Sequence, residues 1–444
     1  MKLLGKKKWV AAFMSFILMA TLIVQPATAD AALDLDAESA ILVEAESGKI
    51  LYQKNIDAVL PLASMTKMMS EYLILEAISE GRISWDQQVP ISDWVRTLSL
   101  QTALSNVPLR QDETYTVRDL YESVAIYSAN ASTIALAELI SGSETQFVQL
   151  MNEKGEELGL EDFNFVNSSG LNNRDLQGNH PEGTGAEAEN EMSARATAKL
   201  AYALLRDYPE VLETASIPMK DFQAGPGEVI PMENWNWMLP TIRPQHDYEG
   251  IDGLKTGFTS AAGNTFTGTA ERDGMRLISV VMRTESRDAR FNETRKLLDF
   301  GFNNFSTVEL FDEGHVVEGE ETLPVAAGKE REVAISSAEA LSAVVRNGQN
   351  DQYSVELGLD QEKLNEDGEL VAPLEAGEAV GTLSLSFEGE GEEFLYSGQQ
   401  EGVPMVTDTA VEKAGWFTMM MRGIGGFFSG IWNTAVNTVS GWFS

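Results

Sequence analysis

A serine and a lysine three residues apart, Ser64 and Lys67, carry the strongest chemical signal in this sequence. On a helix, positions i and i+3 share a face, so the lysine ammonium group lies beside the serine hydroxyl. A serine hydroxyl is a weak nucleophile until a base takes its proton, and a lysine can be that base when burial or a nearby positive charge lowers its pKa. No other serine in the chain has a lysine three residues later. The pair alone is common, and a random instance is usually an exposed helix pair.

Two further short motifs contain groups that suit the binding of a peptide end. Ser128 and Asn130 place a hydroxyl and an amide at the predicted junction of two helices, although such residues also cap helices without any other role. Lys255, Thr256 and Gly257 lie early in a predicted strand and combine an ammonium group, a hydroxyl and a glycine that allows close backbone approach. This combination suits a substrate carboxylate lying along the strand, and the alternative is an exposed lysine on an edge strand.

Hydrophobic periodicity and turn signals predict the elements that must position these motifs. Strands come first, a helical stretch follows, and further strands close the segment. The predicted strands are Ser39–Glu44, Lys49–Tyr52, 253–257, 264–271 and 275–283, and the predicted helices are 64–79, 116–127, 130–140, Phe147–Leu158, Ser193–Arg206 and Asp288–Phe300. This order indicates one sheet assembled from both ends of the segment and covered by helices. From about residue 306, short β-like runs between glycine and acidic turns predict a small all-β domain.

Composition narrows the classes of function. The chain has 444 residues and a formal net charge of −36 at pH 7. Because phosphate binding needs a basic surface, this charge argues against nucleic acid as a partner. The absence of cysteine excludes a disulfide framework and a cysteine-ligated zinc site. The histidines, His180, His246 and His315, lie far apart in the sequence, so neither a histidine-rich metal site nor a Ser-His-Asp triad has local support.

The beginning of the chain carries an export signal. Lysines at positions 2, 6, 7 and 8 precede an apolar stretch from Trp9 to about Val24, and Ala27–Ala29 has the small-x-small form of a cleavage site. These features predict a secretory signal peptide over residues 1–29. The alternative is an uncleaved N-terminal anchor, although the apolar stretch is short for a membrane span.

The end of the chain has the pattern of a membrane-surface helix. Over residues 411–444, apolar residues recur at three- and four-residue steps, and the apolar face is rich in tryptophan and phenylalanine. Arg422, Asn433 and Asn437 argue against a helix that spans the bilayer. We therefore expect an in-plane membrane anchor, and the alternative is a helix packed on the protein's own core.

The three chemical motifs, taken together and in this order, are the pattern of penicillin-binding proteins and serine β-lactamases. The surrounding sequence resembles the low-molecular-weight D-alanyl-D-alanine carboxypeptidases of peptidase family S11. The segments that carry this resemblance are 62–69, 127–131, 165–171, 252–257, 276–281 and 290–291. The likeness covers nearly the whole mature chain, and it is closest to the vegetative, membrane-anchored carboxypeptidase of bacilli.

The resemblance implies an α+β fold and a domain order. The fold is the serine β-lactamase/penicillin-binding-protein-like transpeptidase fold, in which helices cover a mostly antiparallel sheet, followed by a small β-sandwich domain. The implied order is a signal peptide over 1–29, a catalytic domain over 30–305, the β domain over 306–405 and the amphipathic helix over 411–444. The protein is then exported and held on the outer face of the cytoplasmic membrane by that helix.

The resemblance also implies roles for individual residues. Ser64 forms the acyl-enzyme, Lys67 accepts its proton, and Ser128 relays a proton to the leaving D-alanine. Asn130 holds the substrate amide, and the terminal carboxylate is bound by Lys255 and Thr256, with Arg290 as a further candidate. The backbone N–H groups of Ser64 and Phe258, next to Gly257, form the oxyanion hole. No cofactor or metal is implied, since the lysine does the work of a metal-bound water.

The implied substrate is the peptidoglycan pentapeptide stem, from which the enzyme removes the terminal D-alanine, and β-lactams acylate the same serine as inhibitors. A β-lactamase shares the three motifs, but such enzymes usually consist of the catalytic domain alone. The other alternative is a non-catalytic wall-binding or penicillin-sensing protein that keeps the fold.

Overall fold

An antiparallel sheet made from the two ends of the N-terminal segment forms the centre of the fold. The computed structural model describes residues 33–389, 391–397, 402–418 and 420. The predicted signal peptide and most of the predicted C-terminal helix therefore lie outside the described residues. Residues from Leu35 onward form one unit. Within the described residues, no helix has both the length and the apolar character needed to cross a membrane.

The helices of the described part pack against this sheet and against one another. In chain order they are α1 (Lys67–Ser79), α2 (Asp93–Ser99), α3 (Val117–Tyr127), α4 (Asn130–Ser141), α5 (Glu144–Glu157), α6 (Ala194–Asp207), α7 (Val211–Ala215) and α8 (Arg287–Asn304). The predicted capping box at the start of α3 is present, since the Thr116 side chain accepts from the Asp119 backbone and the Asp119 side chain accepts from the Thr116 backbone. The helix predicted to begin at Ser64 begins instead as a 3-10 turn over Ala63–Thr66, which leads into α1.

The strands up to residue 284 include the predicted hairpin and the three predicted closing strands. They are β1 (Ser39–Glu44), β2 (Lys49–Lys54), β3 (Leu60–Pro61), β4 (Gln88–Val89), β5 (Tyr115–Thr116), β6 (Phe163–Asn164), β7 (Glu191–Met192), β8 (Met219–Gly225), β9 (Glu228–Glu233), β10 (Ile251–Thr259), β11 (Gly263–Arg272) and β12 (Met275–Thr284). The central sheet has the order β10-β11-β12-β1-β2, so the prediction of one sheet built from both ends is confirmed. The β8–β9 hairpin was not predicted from the sequence.

The part of the chain after α8 is rich in strands, as predicted. Its strands are β13 (Phe305–Phe311), β14 (Thr322–Ala326), β15 (Glu332–Ser337), β16 (Leu341–Arg346), β17 (Tyr353–Leu359), β18 (Leu370–Val371), β19 (Ala379–Phe387), β20 (Glu393–Phe394) and β21 (Gly402–Thr407). Six of them form a second sheet in the order β17-β19-β21-β15-β14-β18, which has its own apolar core. The β domain continues past residue 405, because Val411 exchanges backbone hydrogen bonds with Leu374 and the Ala414 backbone donates to Ala327.

The β domain is joined to the central sheet by a strand and a buried lysine. β20 pairs with β2 and becomes the sixth strand of the central sheet. Beside it, Lys49 Nζ donates to Val344 O at 2.8 Å, to the Tyr353 hydroxyl at 2.7 Å and to Glu392 Oε1 at 2.6 Å. The two parts of the chain therefore share backbone pairing and a buried ion pair, although the sequence suggested a simple succession of domains.

Candidate active site

The nucleophile candidate lies on a tight turn at the start of α1. Ala63, which precedes it, has a φ of 50°, a left-handed conformation that is unusual for alanine. Three residues later, Lys67 is fully buried, and its Nζ donates to Ser64 Oγ at 3.1 Å, to Asn130 Oδ1 at 2.8 Å and to Ser169 O at 2.5 Å. The predicted adjacency of Ser64 and Lys67 is therefore present, and two more distant segments fix the lysine in place.

The 165–171 segment forms the support beneath this turn. Gly170 has a φ of +82°, and a Cβ atom at this position would collide with the Ala63 carbonyl. The neighbouring Ser169 supplies the carbonyl that accepts from Lys67, and Ser168 is held by Glu144, which accepts from its backbone N at 3.0 Å and its hydroxyl at 2.6 Å. The sequence marked this segment by resemblance alone, and the structure shows that it positions the Ser64–Lys67 turn.

Ser128 stands at the corner between α3 and α4. Its φ of 61° ends α3 in a left-handed cap and turns the chain into α4. The side chain is buried, and its Oγ has no hydrogen-bond partner among the described residues. A buried hydroxyl normally finds a partner, so an unpaired one at the surface of a cleft is available to a ligand.

Both polar atoms of the Asn130 side-chain amide form hydrogen bonds within the protein. Its Oδ1 accepts from Lys67, and its Nδ2 donates to Ser105 O at 2.9 Å. Asn130 thereby connects the lysine to the 102–105 loop. The structure thus gives Asn130 a positioning function in addition to the substrate contact implied by the resemblance.

Strand β10 brings the third motif to the opposite side of the turn. Lys255 and Thr256 are buried, and the Lys255 Nζ donates a long hydrogen bond of 3.5 Å to Thr256 O. A Cβ atom at Gly257 would lie 2.5 Å from Thr265 Oγ1 and 2.7 Å from Leu62 O. Only glycine therefore lets β10 lie this close to the nucleophile turn, a packing role that the sequence did not indicate.

Phe258 and Arg290 complete the set of predicted residues. Phe258 is 55% exposed, so its side chain lacks the packing that a fixed role needs, and its backbone next to Gly257 is the part available for one. Arg290 is buried on α8, and its Nη1 donates to Gly257 O at 3.2 Å. Arg290 therefore supports the β10 backbone at Gly257.

These side chains surround one open cavity of about 420 Å³. Seven of the nine predicted site residues line it: Ser64, Ser128, Asn130, Thr256, Gly257, Phe258 and Arg290. Lys67 and Lys255 are buried beside it. The cavity lining also includes residues for which no function was predicted from the sequence, namely Tyr127, Trp235, Arg287, Leu171 and the 102–105 loop.

Residues 25–286 match the family model of the D-alanyl-D-alanine carboxypeptidases, Peptidase S11, and residues 305–413 match that of the C-terminal domain of penicillin-binding protein 5. The chain belongs to the D-alanyl-D-alanine carboxypeptidase family. A curated relative, D-alanyl-D-alanine carboxypeptidase DacF of Bacillus subtilis, is 31% identical over 395 residues, which cover 88% of this chain and 90% of the relative.

Solved structures of related proteins agree with this assignment. A peptidoglycan synthesis regulatory factor, PBP3 from Streptococcus pneumoniae, is 33% identical with a TM-score of 0.71, and the match covers 85% of this chain and 99% of that one. Penicillin-binding protein D2 from Listeria monocytogenes, solved in an ampicillin-bound form, is 34% identical with a TM-score of 0.51, and the match covers 61% of this chain and 98% of that one. The predicted penicillin-binding-protein fold is confirmed, and the carboxypeptidase is favoured over a β-lactamase or a non-catalytic relative.

The electrostatics of the carboxypeptidase site depend on a residue that the sequence analysis missed. Glu71 lies one turn after Lys67 on α1, is buried, and has an Oε1 atom without a hydrogen-bond partner among the described residues. Burial raises the pKa of the Glu71 carboxyl to about 7, against the opposing effect of Lys255 and Lys67. The i+4 spacing from Lys67 was the sequence signal that could have identified it, because such residues share a helix face.

The two lysines of the carboxypeptidase both have lowered pKa values. Burial, and then the positive charge of Lys255, hold the pKa of Lys67 well below its ordinary value, while Glu71 opposes this effect. Burial lowers the pKa of Lys255 to about 8, and Glu71 again acts in the opposite direction. A site with these shifts can hold one neutral amine beside the Ser64 hydroxyl and one charged amine on the far side of the turn.

Proposed function

We propose that this carboxypeptidase removes the terminal D-alanine from peptidoglycan pentapeptide stems through an ester on Ser64, and that it thereby limits cross-linking of the wall. The observation that carries the proposal is the buried Lys67 amine at 3.1 Å from Ser64 Oγ, on the wall of an open cleft that β10 also lines. Neutral Lys67 accepts the hydroxyl proton as Ser64 Oγ bonds to the carbonyl carbon of the penultimate D-alanine.

Proton transfers then accompany the cleavage of the bond to the terminal D-alanine. The proton taken by Lys67 passes through the Ser128 hydroxyl to the leaving amine, and the C–N bond breaks. Water hydrolyses the ester and restores the Ser64 hydroxyl. The unpaired, buried Ser128 Oγ on the cavity wall supports its place in this relay.

The other predicted residues bind the C-terminal end of the peptide. Charged Lys255, with Thr256 and Arg290, takes the terminal carboxylate, and Asn130 takes the substrate amide. Gly257 allows the substrate to lie along β10, and the backbone N–H groups of Ser64 and Phe258 stabilise the oxyanion. β-Lactams occupy the same positions and acylate Ser64.

The direct test compares the native protein with Ser64→Ala. After exposure to a β-lactam, the intact mass of the native protein should rise by the mass of one inhibitor, and Ser64→Ala should show no adduct. D-Alanine release from a D-Ala-D-Ala peptide should disappear in the same variant, while Ser84→Ala, an exposed serine outside the cleft, should keep both properties. Release of D-alanine by Ser64→Ala at the native rate contradicts the proposal, and rapid turnover of the penicillin adduct favours a β-lactamase.

We also propose that the protein is exported and attached to the outer face of the cytoplasmic membrane by its C-terminal helix. Trp416, Phe417 and Met420, at the end of the described chain, are exposed apolar residues, which supports a membrane-facing segment here. Because Val411 and Ala414 belong to the β domain, a truncation should remove residues 416–444 and leave the rest. The truncated enzyme should be active and soluble, and the full-length enzyme should sediment with vesicles.

Two results would contradict this placement. One is sedimentation of the truncated protein with membranes. The other is an N-terminus of the mature protein, determined by sequencing, that still includes residues 1–29.

A further inference from the structure

A chain of contacts crosses the cleft beside the proposed carboxylate site. On one wall, the Trp235 indole N–H donates to the carbonyl of Tyr127 at 3.1 Å, and Tyr127 immediately precedes Ser128. Trp235 is itself fixed by the preceding residue, since Asn234 Nδ2 donates to Ala215 O at 3.1 Å and to Ile217 O at 3.0 Å. The indole is therefore attached to the Ser128 side of the cleft.

The other wall reaches the same indole through α8. The Arg287 guanidinium lies over the Trp235 ring, 5.1 Å from its centroid. Arg287 is three residues before Arg290 on α8, and Arg290 Nη1 donates to Gly257 O at 3.2 Å. Trp235 and Arg287 thus connect the Ser128 corner to β10, and both line the cavity.

Arg287 has no competing partner in the described part of the chain. It is exposed and forms no ion pair with any described residue, although acidic residues outnumber basic ones by 68 to 32 in the sequence. The stacking on Trp235 is the contact that the structure records for its guanidinium. A cation held over an indole in this way has a defined position at the mouth of the cleft.

We propose that the Trp235–Arg287 pair closes the leaving-group end of the cleft and restricts the enzyme to peptides that end one residue after the scissile bond. This inference rests on the proposed function, which places the terminal carboxylate at Thr256 and Arg290. One helical turn is about 5 Å, and one further residue on a substrate extends it by about 3.5 Å. Because Trp235 and Arg287 line the same cavity as Thr256 and Arg290, an extra residue that extends toward this pair meets the Arg287 guanidinium and the Trp235 ring.

A peptide extended beyond the terminal D-alanine would be cleaved through the same steps and with the same reactants. Ser64 forms the same ester with the penultimate D-alanine carbonyl, the same C–N bond breaks, and the relayed proton goes to an amine that now belongs to a dipeptide. Water hydrolyses the ester as before. Only the space for the leaving group differs, so the pair is a specificity-determining element.

The test uses an acyl-D-Ala-D-Ala peptide and the same peptide extended by one C-terminal glycine. Liquid chromatography with mass spectrometry measures kcat/KM for release of D-alanine from the first and of D-Ala-Gly from the second. Trp235→Ala should raise the ratio of extended to terminal cleavage at least about tenfold over the native enzyme. Arg287→Gln should raise the same ratio by a smaller factor, because the indole remains.

The chain offers a matched control pair away from the cleft. Arg118 lies over the Trp85 ring at 4.5 Å, and neither residue lines the cavity. Trp85→Ala and Arg118→Gln should leave the ratio unchanged. If Trp235→Ala does not fold, as judged by thermal unfolding and labelling with fluorescent penicillin, Arg287→Gln tests the proposal by itself.

The outcomes separate this inference from the proposed function. A native enzyme that releases no D-alanine from the terminal peptide contradicts the proposed function. A native enzyme that does so, together with folded Trp235→Ala and Arg287→Gln variants whose ratio equals the native ratio, overturns only the role of the pair.

Discussion

Replacing Glu71 by glutamine should move the pH profile of the carboxypeptidase to lower pH. The substitution keeps the shape of a buried side chain and removes its negative charge. Glu71 opposes the lowering of the pKa of both Lys67 and Lys255, so both pKa values should fall in Glu71→Gln. Lys67 has to be neutral to accept the Ser64 proton, and Lys255 has to be charged to bind a carboxylate. The acid limb and the alkaline limb of kcat/KM should therefore move in the same direction.

The helix geometry sets the scale of the Glu71 charge effect at Lys67, and we take the same scale for Lys255 on β10. Residues four apart on a helix have Cβ atoms about 6 Å apart, and unit charges at about 6 Å and an effective dielectric constant of about 20 interact by about 3 kcal/mol. That energy corresponds to an upper limit of about 2 pKa units. Because the pKa of Glu71 is about 7, the carboxyl is largely neutral in acid and largely ionised above pH 8. The alkaline limb should thus move by more than the acid limb.

The expected result is clearest in the alkaline range. Native activity should fall as the pH rises through the pKa of Lys255, about 8, because the charged form is lost. In Glu71→Gln this fall should begin about 1 pH unit lower, which reduces kcat/KM about tenfold relative to native enzyme above the limb. The assay is D-alanine release from a D-Ala-D-Ala peptide between about pH 5.5 and 10, a range that brackets the pKa of Lys255.

A matched variant controls for the loss of a buried acid as such. Glu293 on α8 is also buried, but it accepts from the Asp36 backbone and pairs with Lys296, so it acts away from the two active-site lysines. Glu293→Gln should keep the native pH profile whatever it does to stability. An alkaline limb in Glu71→Gln that coincides with the native one, or that moves upward, would refute the electrostatic reasoning.

Two further predictions concern the framework around the site. Lys49→Met removes one partner of the buried ion pair with Glu392 and should lower the free energy of unfolding, measured by urea denaturation, by about 3 kcal/mol. The control is Lys363→Met, whose ion pair with Glu378 is more exposed. An equal loss of stability in the control would argue against a special role for Lys49. In Gly257→Ala the new Cβ would force β10 away from Leu62 O and Thr265 Oγ1. Because a misplaced active-site group lowers the rate by about a hundredfold, kcat/KM for D-alanine release should fall by at least this factor. Gly185→Ala, where the new Cβ meets only Ala188 Cβ at 3.6 Å, is the control, and near-native activity in Gly257→Ala would show that the close approach of β10 is unnecessary.

Much of the fold was predictable because its elements have strong local patterns. The hairpin of β1 and β2, the capping box of α3 and the three closing strands have clear alternation, turns or caps, and each lies where the sequence predicted it. The β8–β9 hairpin was missed although Gly225 and Gly227 mark its turn. Its strands mix polar and apolar residues and bury only Phe222, Ala224 and Met232, so their hydrophobic alternation is weak.

The pairing of Ser64 with Lys67 was determined by the sequence alone, because three residues along a helical turn fix the distance between their side chains. The same reasoning extends to Glu71, one turn further. No local rule connects Lys67 to Ser169, or Trp235 to Arg287, because these residues are joined only where separate segments pack together. Burial, which sets the pKa values of both lysines, is likewise a property of the packed structure. The sequence determined which groups can react, and the tertiary structure decided which of them are charged, which are held in place and where the cleft ends.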